Sequence, residues 1–345
     1  MPNYFEEKIT AQNVKIIYET RERKPFIGEM FFRPVKQNGL DIDLIKGKDD
    51  APVALVSANW DTDVLYRDRI VFESLTAEMP YFKEAVKVDE KLRQQIIMAQ
   101  EQYRSPLLNQ VFSRLESLVY GADVTAERLR MQILSTGTIS IQENGVDKQY
   151  DYGFVSSKQL VTESTLWSAT GAKPLNSFVA QIKAYKKATG NKAAYAIMNE
   201  DVFEKLASSS EVTTYFSNLS TPNLYPSDDA KRAYLEQVSG VTIVIADDVY
   251  VKARDKSKTL VPYYPQDRYT LVPTLDMGET VYGTTPEEAD LATGNDSVLS
   301  CEIIGNGIAV TTWKEADPVC VSTKVSEVVL PSCPLIDALY IVKVL

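Results

Sequence analysis

Glu127-Arg-Leu-Arg-Met-Gln-Ile-Leu-Ser-Thr-Gly-Thr-Ile-Ser-Ile141 changes its period at one residue. Before Gly137, Leu129, Ile133 and Leu134 recur at helical spacing, and after it Thr138-Ile-Ser-Ile141 alternates as a strand does. A glycine just past the last periodic residue is a helix stop. The stretch therefore predicts a helix, capped by Thr125, that runs into a strand. Upstream, Leu108, Val111, Phe112, Leu115, Leu118 and Val119 form one apolar stripe. Ser105-Pro106 predicts its start, with serine as N-cap and proline at the first helical position. Gly121 predicts an interruption. Such a stripe reads first as the core face of a long helix and second as a partner-binding face.

Working outward, residues 1–25 are polar and charged, with one apolar cluster at Val14, Ile16, Ile17 and Tyr18. They predict an arm without a core of its own. Residues 26–80 predict β-structure, with Phe31, Phe32, Val35, Ile42, Leu44 and Ile45 around Asn38-Gly39, a hairpin signal. A second turn is expected at Lys46-Gly47, followed by Val53-Ala-Leu-Val56 and Trp60. Val88–Tyr103 predicts a helix. Beyond Trp167, a helix over Pro174–Thr189 ended by Gly190, a strand over Ala193–Met198, a helix over Glu200–Ser208 and a strand over Gly240–Ala246 predict an α/β unit. From Val261 the chain reads as mainly β. Its last strands are expected near Gly307–Val310, Val319–Thr323 and Ala338–Val344.

The chain has 345 residues, 44% of them hydrophobic, which allows two domains and a sizeable core. It contains no histidine. Ser-His-Asp triads, Cys-His pairs, HExxH zinc sites and histidine haem ligation are thereby excluded. Cys301, Cys320 and Cys333 fit neither CxxC nor a zinc pattern and read as reduced thiols. The net charge is −10. Residues 1–36 hold seven Lys/Arg against five Asp/Glu, a net of +2, and residues 276–345 hold three against eleven, a net of −8. No basic run interleaved with aromatics stands against this acidity, so sequence-specific nucleic-acid binding is not expected. No apolar run approaches the roughly 20 residues of a membrane span, and the N-terminus has no signal-peptide core.

Motifs for chemistry are weak. Gly305-Asn-Gly307 lacks the rest of a dinucleotide loop and reads as a β-turn. Gly47-Lys48 lacks the upstream glycine and the Ser/Thr of a phosphate loop. The pairs Asp49-Asp50, Asp228-Asp229 and Glu287-Glu288 read as solvated turns, since neighbours on a strand face opposite ways. Asp247-Asp248 follows a buried strand, where an open α/β sheet places its active-site acids. It is the strongest enzymatic candidate, without a histidine or a partner carboxylate. No catalytic residue, cofactor-binding residue or metal ligand is assigned.

The order of segments, together with several local matches, resembles the major capsid proteins of tailed bacteriophages, the family of the phage lambda head protein. The matches are Ile27-Gly-Glu-Met-Phe-Phe-Arg-Pro-Val35 with Gly39-Leu-Asp41, the opening Glu127–Ile141 stretch, Tyr150-Asp-Tyr-Gly153, Leu166-Trp-Ser168, Lys187–Leu206, Gly278–Glu288, Ala316-Asp-Pro-Val319 and Pro331-Ser-Cys-Pro334. The resemblance implies an α+β fold of five parts. These are an N-terminal arm (1–25), an extended β-hairpin loop (26–80), a peripheral domain with a long spine helix (81–165), an α/β axial domain (166–275) and a β return into the peripheral domain (276–345). It implies a non-enzymatic subunit, made in the host cytoplasm and ending in the virion. That subunit assembles with itself in hexamers and pentamers, with scaffolding, portal and decoration proteins, around double-stranded DNA. Arm and loop would reach neighbouring subunits. Some relatives crosslink lysine to asparagine, but nothing around Lys36, Lys46 or Lys48 marks a reactive lysine. The alternatives are a bacterial nanocompartment shell, a carboxylate enzyme using Asp247 or Asp248, and an adaptor binding through the 105–135 helix.

Overall fold

The computed structural model describes residues 9–46, 73–218, 226–252, 257–293 and 300–345. The opening stretch ends a helix at Thr136, and Gly137 closes it in the left-handed region at φ 74°, donating its N–H to Ile133 O. A side chain is also excluded there, because a Cβ would lie 2.3 Å from the Phe154 ring.

In chain order the elements begin with α1 (Ala11–Thr20), a 3₁₀ turn (Gly28–Met30), β1 (Phe32–Lys36), β2 (Asp41–Lys46), β3 (Glu73–Glu78) and β4 (Tyr81–Val88). Next come α2 (Glu90–Met98), α3 (Glu101–Thr136), β5 (Thr138–Glu143), β6 (Val146–Asp151), α4 (Ser156–Gln159) and β7 (Leu160–Thr162). The α/β stretch holds α5 (Pro174–Thr189), β8 (Tyr195–Met198), α6 (Glu200–Ala207), α7 (Ser210–Ser217), α8 (Asp228–Ser239) and β9 (Thr242–Ile245). The remainder is β10 (Val249–Val251), β11 (Leu260–Pro262), β12 (Arg268–Val272), β13 (Gly278–Tyr282), α9 (Pro286–Thr293), β14 (Ser300–Ile304), β15 (Ile308–Ala316), β16 (Val319–Ser332) and β17 (Tyr340–Lys343).

Two sheets organise these elements. The first runs β1-β13-β16-β15-β14, with β4 also paired to β16. The second runs β7-β17-β12-β8-β9. The 36 residues of α3 extend about 54 Å at about 1.5 Å per residue. Its first half, through Leu108, Val111, Leu115, Val119 and Ala122, shares a core with Val14 of α1 and with Val88, Val310, Val321 and Val325 of the first sheet. Its second half, through Ala126, Leu129, Ile133 and Leu134, joins Phe31, Phe32, Val281, Val329 and Leu330. Burying each large apolar side chain contributes about 1.5–3 kcal/mol, so the seam as a whole fixes helix to sheet. Leu108–Val119 is thus core. The second sheet has its own core, with Phe178, Tyr185, Val202, Phe203, Leu206 and Leu235 of its helices against Ile243, Tyr269 and Val342.

Several expectations are corrected. The long helix starts at Glu101, not at Ser105, and Pro106 lies inside it. Arg104 donates to the carbonyls of Ile96, Ile97 and Ala99, clamping the end of α2 onto the first turn of α3. Gly121 does not interrupt the helix, because the apolar seam continues on both sides. Thr125 does not cap a new helix, and its hydroxyl donates to Gly121 O at 2.9 Å. Asn38-Gly39 turns the chain, with Gly39 at φ 108°, but joins no hairpin. β1 pairs in parallel with β13, and β2 pairs with β3. β1 is therefore part of the first sheet and not of the expected hairpin loop. Likewise β17, near the end of the chain, pairs with β12 and β7 in the second sheet. Lys46 ends β2, while Gly47 of the expected turn, the Val53–Val56 strand, Trp60, Lys48 and Asp49-Asp50 lie outside the described residues.

Candidate assembly interface

The N-terminal arm reads as charged in sequence, and its charges hold it to the long helix. Tyr18 donates to Asp123. Arg21 and Arg23 reach Glu116 Oε1 at 2.7 and 3.4 Å. The Arg23 guanidinium lies 3.6 Å from the Tyr18 ring centroid. Phe26 stacks on Tyr120. At the other end of α1, Ala11 N donates to Ser300 Oγ on β14. Burial and the Asp123 carboxylate both raise the Tyr18 phenol.

A buried charged cluster lies beneath this contact. Arg130 is 1% exposed and donates to Thr280 Oγ1 at 2.8 Å, Glu127 Oε2 at 3.3 Å and Tyr282 OH at 3.4 Å. Glu29 lies 3.6 Å away. The other Glu127 oxygen accepts from Gly28 N at 2.7 Å, which pins the 3₁₀ turn leading into β1. Glycine is required at 28, since a Cβ would lie 2.5 Å from the Glu127 carboxylate. Burial raises the Glu127 carboxyl, opposed by Gly28 N–H and Arg130. Asp123 is likewise raised by burial, against the Tyr18 hydrogen bond and Arg23.

Glu327 completes the cluster. On β16 it shares a face with Val321 and Val325, which pack on α3, so it points at the helix. It is 1% exposed, and neither of its oxygens has a hydrogen-bond partner among the described residues. Burial, then the Asp123 charge, push its carboxyl well above the usual range, against Arg130 and Arg128. The sequence reading missed this group. Its one trace there is a lone carboxylate inside the apolar run Val325–Leu330.

The residues singled out for chemistry do not converge. Asp248 pairs with Lys24 at 3.3 Å on the rim of a cleft of about 330 Å³, lined by Phe26, Tyr120, Tyr250 and Tyr263. Asp247 lies beside Glu200, whose carboxyl it raises by like charge. Asp228-Asp229 forms the first turn of α8, capped by Ser227. Glu287 accepts from Tyr81 and Ser326 and pairs with Lys324. Burial would raise its carboxyl, but these donors hold it below the usual value. Glu288 pairs with Lys36 at 2.6 Å. Gly305-Asn-Gly307 is the turn joining β14 to β15. Cys320 and Cys333 are buried free thiols, and Cys301 is half-buried. Among the described residues, no group of three or more His, Cys, Asp or Glu could hold a metal ion. None of their helices is long and apolar enough to cross a membrane.

What the geometry offers instead is surface. Among the described residues, β2 and β3 pair with each other and with no third strand. The fold matches the putative capsid protein of an Escherichia coli CFT073 prophage, with a TM-score of 0.62 and 15% identity over 98% of this chain and 99% of that one. It also matches a phage-related protein of Bordetella bronchiseptica RB50, with a TM-score of 0.53 and 10% identity over 97% and 96%. A third match is the capsid of Myoviridae phage XM1, with a TM-score of 0.50 and 13% identity over 98% and 99%. A search of curated protein sequences returns no match. The model of the family described as phage major capsid protein E matches residues 12–344, and the chain belongs to that family.

Proposed function

We propose that this shell-forming subunit of the virion tiles its shell as hexamers and pentamers around a double-stranded DNA genome. It catalyses no reaction and works with scaffolding, portal and decoration proteins. The observation that carries this reading is the β2–β3 ladder, which is anchored at Ile42 and Met79 and, among the described residues, pairs with neither large sheet. Packing of this ladder against another subunit would stabilise assembly by mass action. The arm of residues 1–25 and the loop of 26–80 serve contacts between subunits. The 81–165 unit with its long helix is the peripheral domain, 166–275 is the axial domain, and 276–345 returns to the peripheral sheet. Three adjustments to this division go with the strand pairing: β1 is assigned to the peripheral sheet, and β7 and β17 to the axial one. The acidity of the chain limits adhesion to the enclosed DNA, because phosphate contact needs cations that release counterions.

Electron microscopy of the purified protein, alone and with its scaffold, tests the reading, and closed shells or capsomer rings are expected. Joining Ile42 to Ala77 through Asn-Gly should leave a folded body, since these two residues already face each other across the ladder. That variant should form no shell. Regular shells from it would remove the hairpin from the assembly mechanism.

A further inference from the structure

Between Glu163 and Glu200 the sequence runs for 36 residues without an Asp or Glu, its longest such stretch. The same residues hold five lysines, Lys173, Lys183, Lys186, Lys187 and Lys192, and no arginine. A local net of +5 thus sits inside a chain of net −10. By contrast, Lys83, Lys91 and Lys205 each stand next to a glutamate, which cancels their local field.

The fold gathers most of this charge on α5. Leu175, Phe178 and Tyr185 turn into the core of the second sheet. Lys183, Lys186 and Lys187 are spaced i, i+3 and i+4, so they cluster on the exposed side. Lys192 follows the Gly190 cap and is exposed as well. None of these four side chains pairs with a carboxylate among the described residues. Acids around α5 are engaged elsewhere. Glu163 accepts from Ser177 and Gln181, Glu211 from the Leu175 N–H that opens the helix, and Glu236 from Arg232. Lys186 and Lys187 lie in the last turn, where they also offset the negative end of the helix dipole. That role explains neither Lys183 and Lys192 nor the missing acids.

A cluster of unpaired ammonium groups fits a polyanion, either the phosphates of a nucleic acid or the acidic surface of a second copy. In the acidic end of the chain, residues 276–345, Glu279, Glu287, Glu288, Glu302 and Glu315 already pair with Arg33, Lys324, Lys36, Lys15 and Lys87. A second copy therefore has little free carboxylate to offer from there. A DNA duplex carries one charge per about 1.7 Å of axis, about six along the last two turns of α5. Tyr185 is buried and donates to Ala338 O at 3.0 Å, so it offers no stacking platform to unpaired bases beside the lysines. Lysine meets phosphates as a point charge and carries no base readout there. We infer that the lysine face of α5 is a sequence-independent contact for the phosphate backbone of duplex DNA, turned toward the enclosed genome. This rests on the reading of the chain as a shell subunit around DNA. The acidity of the rest of the chain confines adhesion to this face.

Binding of the purified subunit to a short fluorescent duplex of random sequence, across a salt series, tests this. Four lysine–phosphate contacts predict an affinity that falls on the order of a hundredfold between about 50 and about 200 mM salt. All four lysines are exposed, so the variant Lys183→Gln, Lys186→Gln, Lys187→Gln, Lys192→Gln should fold, lose most of the binding and lose most of that salt dependence. The same four Lys→Arg changes keep the charge and should bind as wild type does. In DNA-filled heads, formaldehyde should join these lysines to the DNA. Equal binding and equal salt dependence for wild type and the glutamine variant overturn the assignment. Where that variant does not fold, the wild type decides alone, and binding that does not respond to salt overturns it. Loss of shells from the glutamine variant, beside a wild type that binds no duplex, gives the face to a protein partner instead. Crosslinks in filled heads confined to other lysines overturn the placement toward the genome. Duplex binding through these lysines by a wild type that forms no shell, with scaffold present, overturns the shell reading and leaves the contact standing.

Discussion

Arg130→Met should cost the unassembled subunit about 3–5 kcal/mol, the usual penalty for removing one partner from a buried ion pair. Methionine fills much of the arginine volume, so the loss is electrostatic rather than a cavity. Without Arg130, Glu127 keeps its Gly28 N–H bond, and Glu327 loses the first of the two cations that oppose the rise of its carboxyl. The pH dependence follows from the signs. Both carboxyls have folded-state values raised above the usual one. A group raised in this way favours the folded state below its unfolded value, about 4.3 for glutamate, and that contribution is lost as pH climbs toward the folded value. Removing the arginine raises both further. The deficit should therefore be smaller at pH 5 than at pH 8. Urea unfolding at both pH values measures it, and Arg130→Met, Glu127→Gln should recover part of the loss through coupling of neighbours. An Arg130→Met subunit as stable as wild type at pH 8 would sink this account of the cluster.

What sequence alone exposes here is whatever is written within a few residues. α5 ending at Gly190, the strand within Ala193–Met198 and the switch at Gly137 all stand as their spacing predicts. The long helix was misjudged where local rules met tertiary packing. Ser105-Pro106 has the composition of a helix start, yet the Arg104 clamp and the seam from Leu108 carry the helix back to Glu101. Gly121 is tolerated because nothing packs where its side chain would be and the seam on both sides holds the turn. The Asn-Gly signal shows the limit most plainly. At Asn144-Gly145, with φ of 51° and 79°, it does make the β5–β6 hairpin. At Asn38-Gly39 the same dipeptide sits between strands whose partners are β13 and β3. A dipeptide fixes the turn and not the pairing. The charged cluster was hidden for a related reason. Glu29, Asp123, Glu127, Arg130 and Glu327 come from a turn, a helix and a strand, and each alone passes for a surface residue.

Glu327→Gln should stabilise the subunit at neutral pH, which is unusual for a substitution at a fully buried position. Among the described residues the native carboxyl has no hydrogen-bond partner, and burial, then the field of Asp123, push it well above the usual range. The unfolded chain ionises it near pH 4.3. Between that value and its raised folded value, the folded state binds one proton more, so stability falls by about 1.4 kcal/mol for each pH unit. Glutamine has the same shape and no charge to lose. Wild type and variant should match near pH 4, and the variant should lead increasingly toward pH 8, with the pH slope of stability reduced by one proton. Thermal or urea unfolding across that range provides the comparison. A variant weaker than wild type at pH 8 would mean that Glu327 is ionised and held by Arg130.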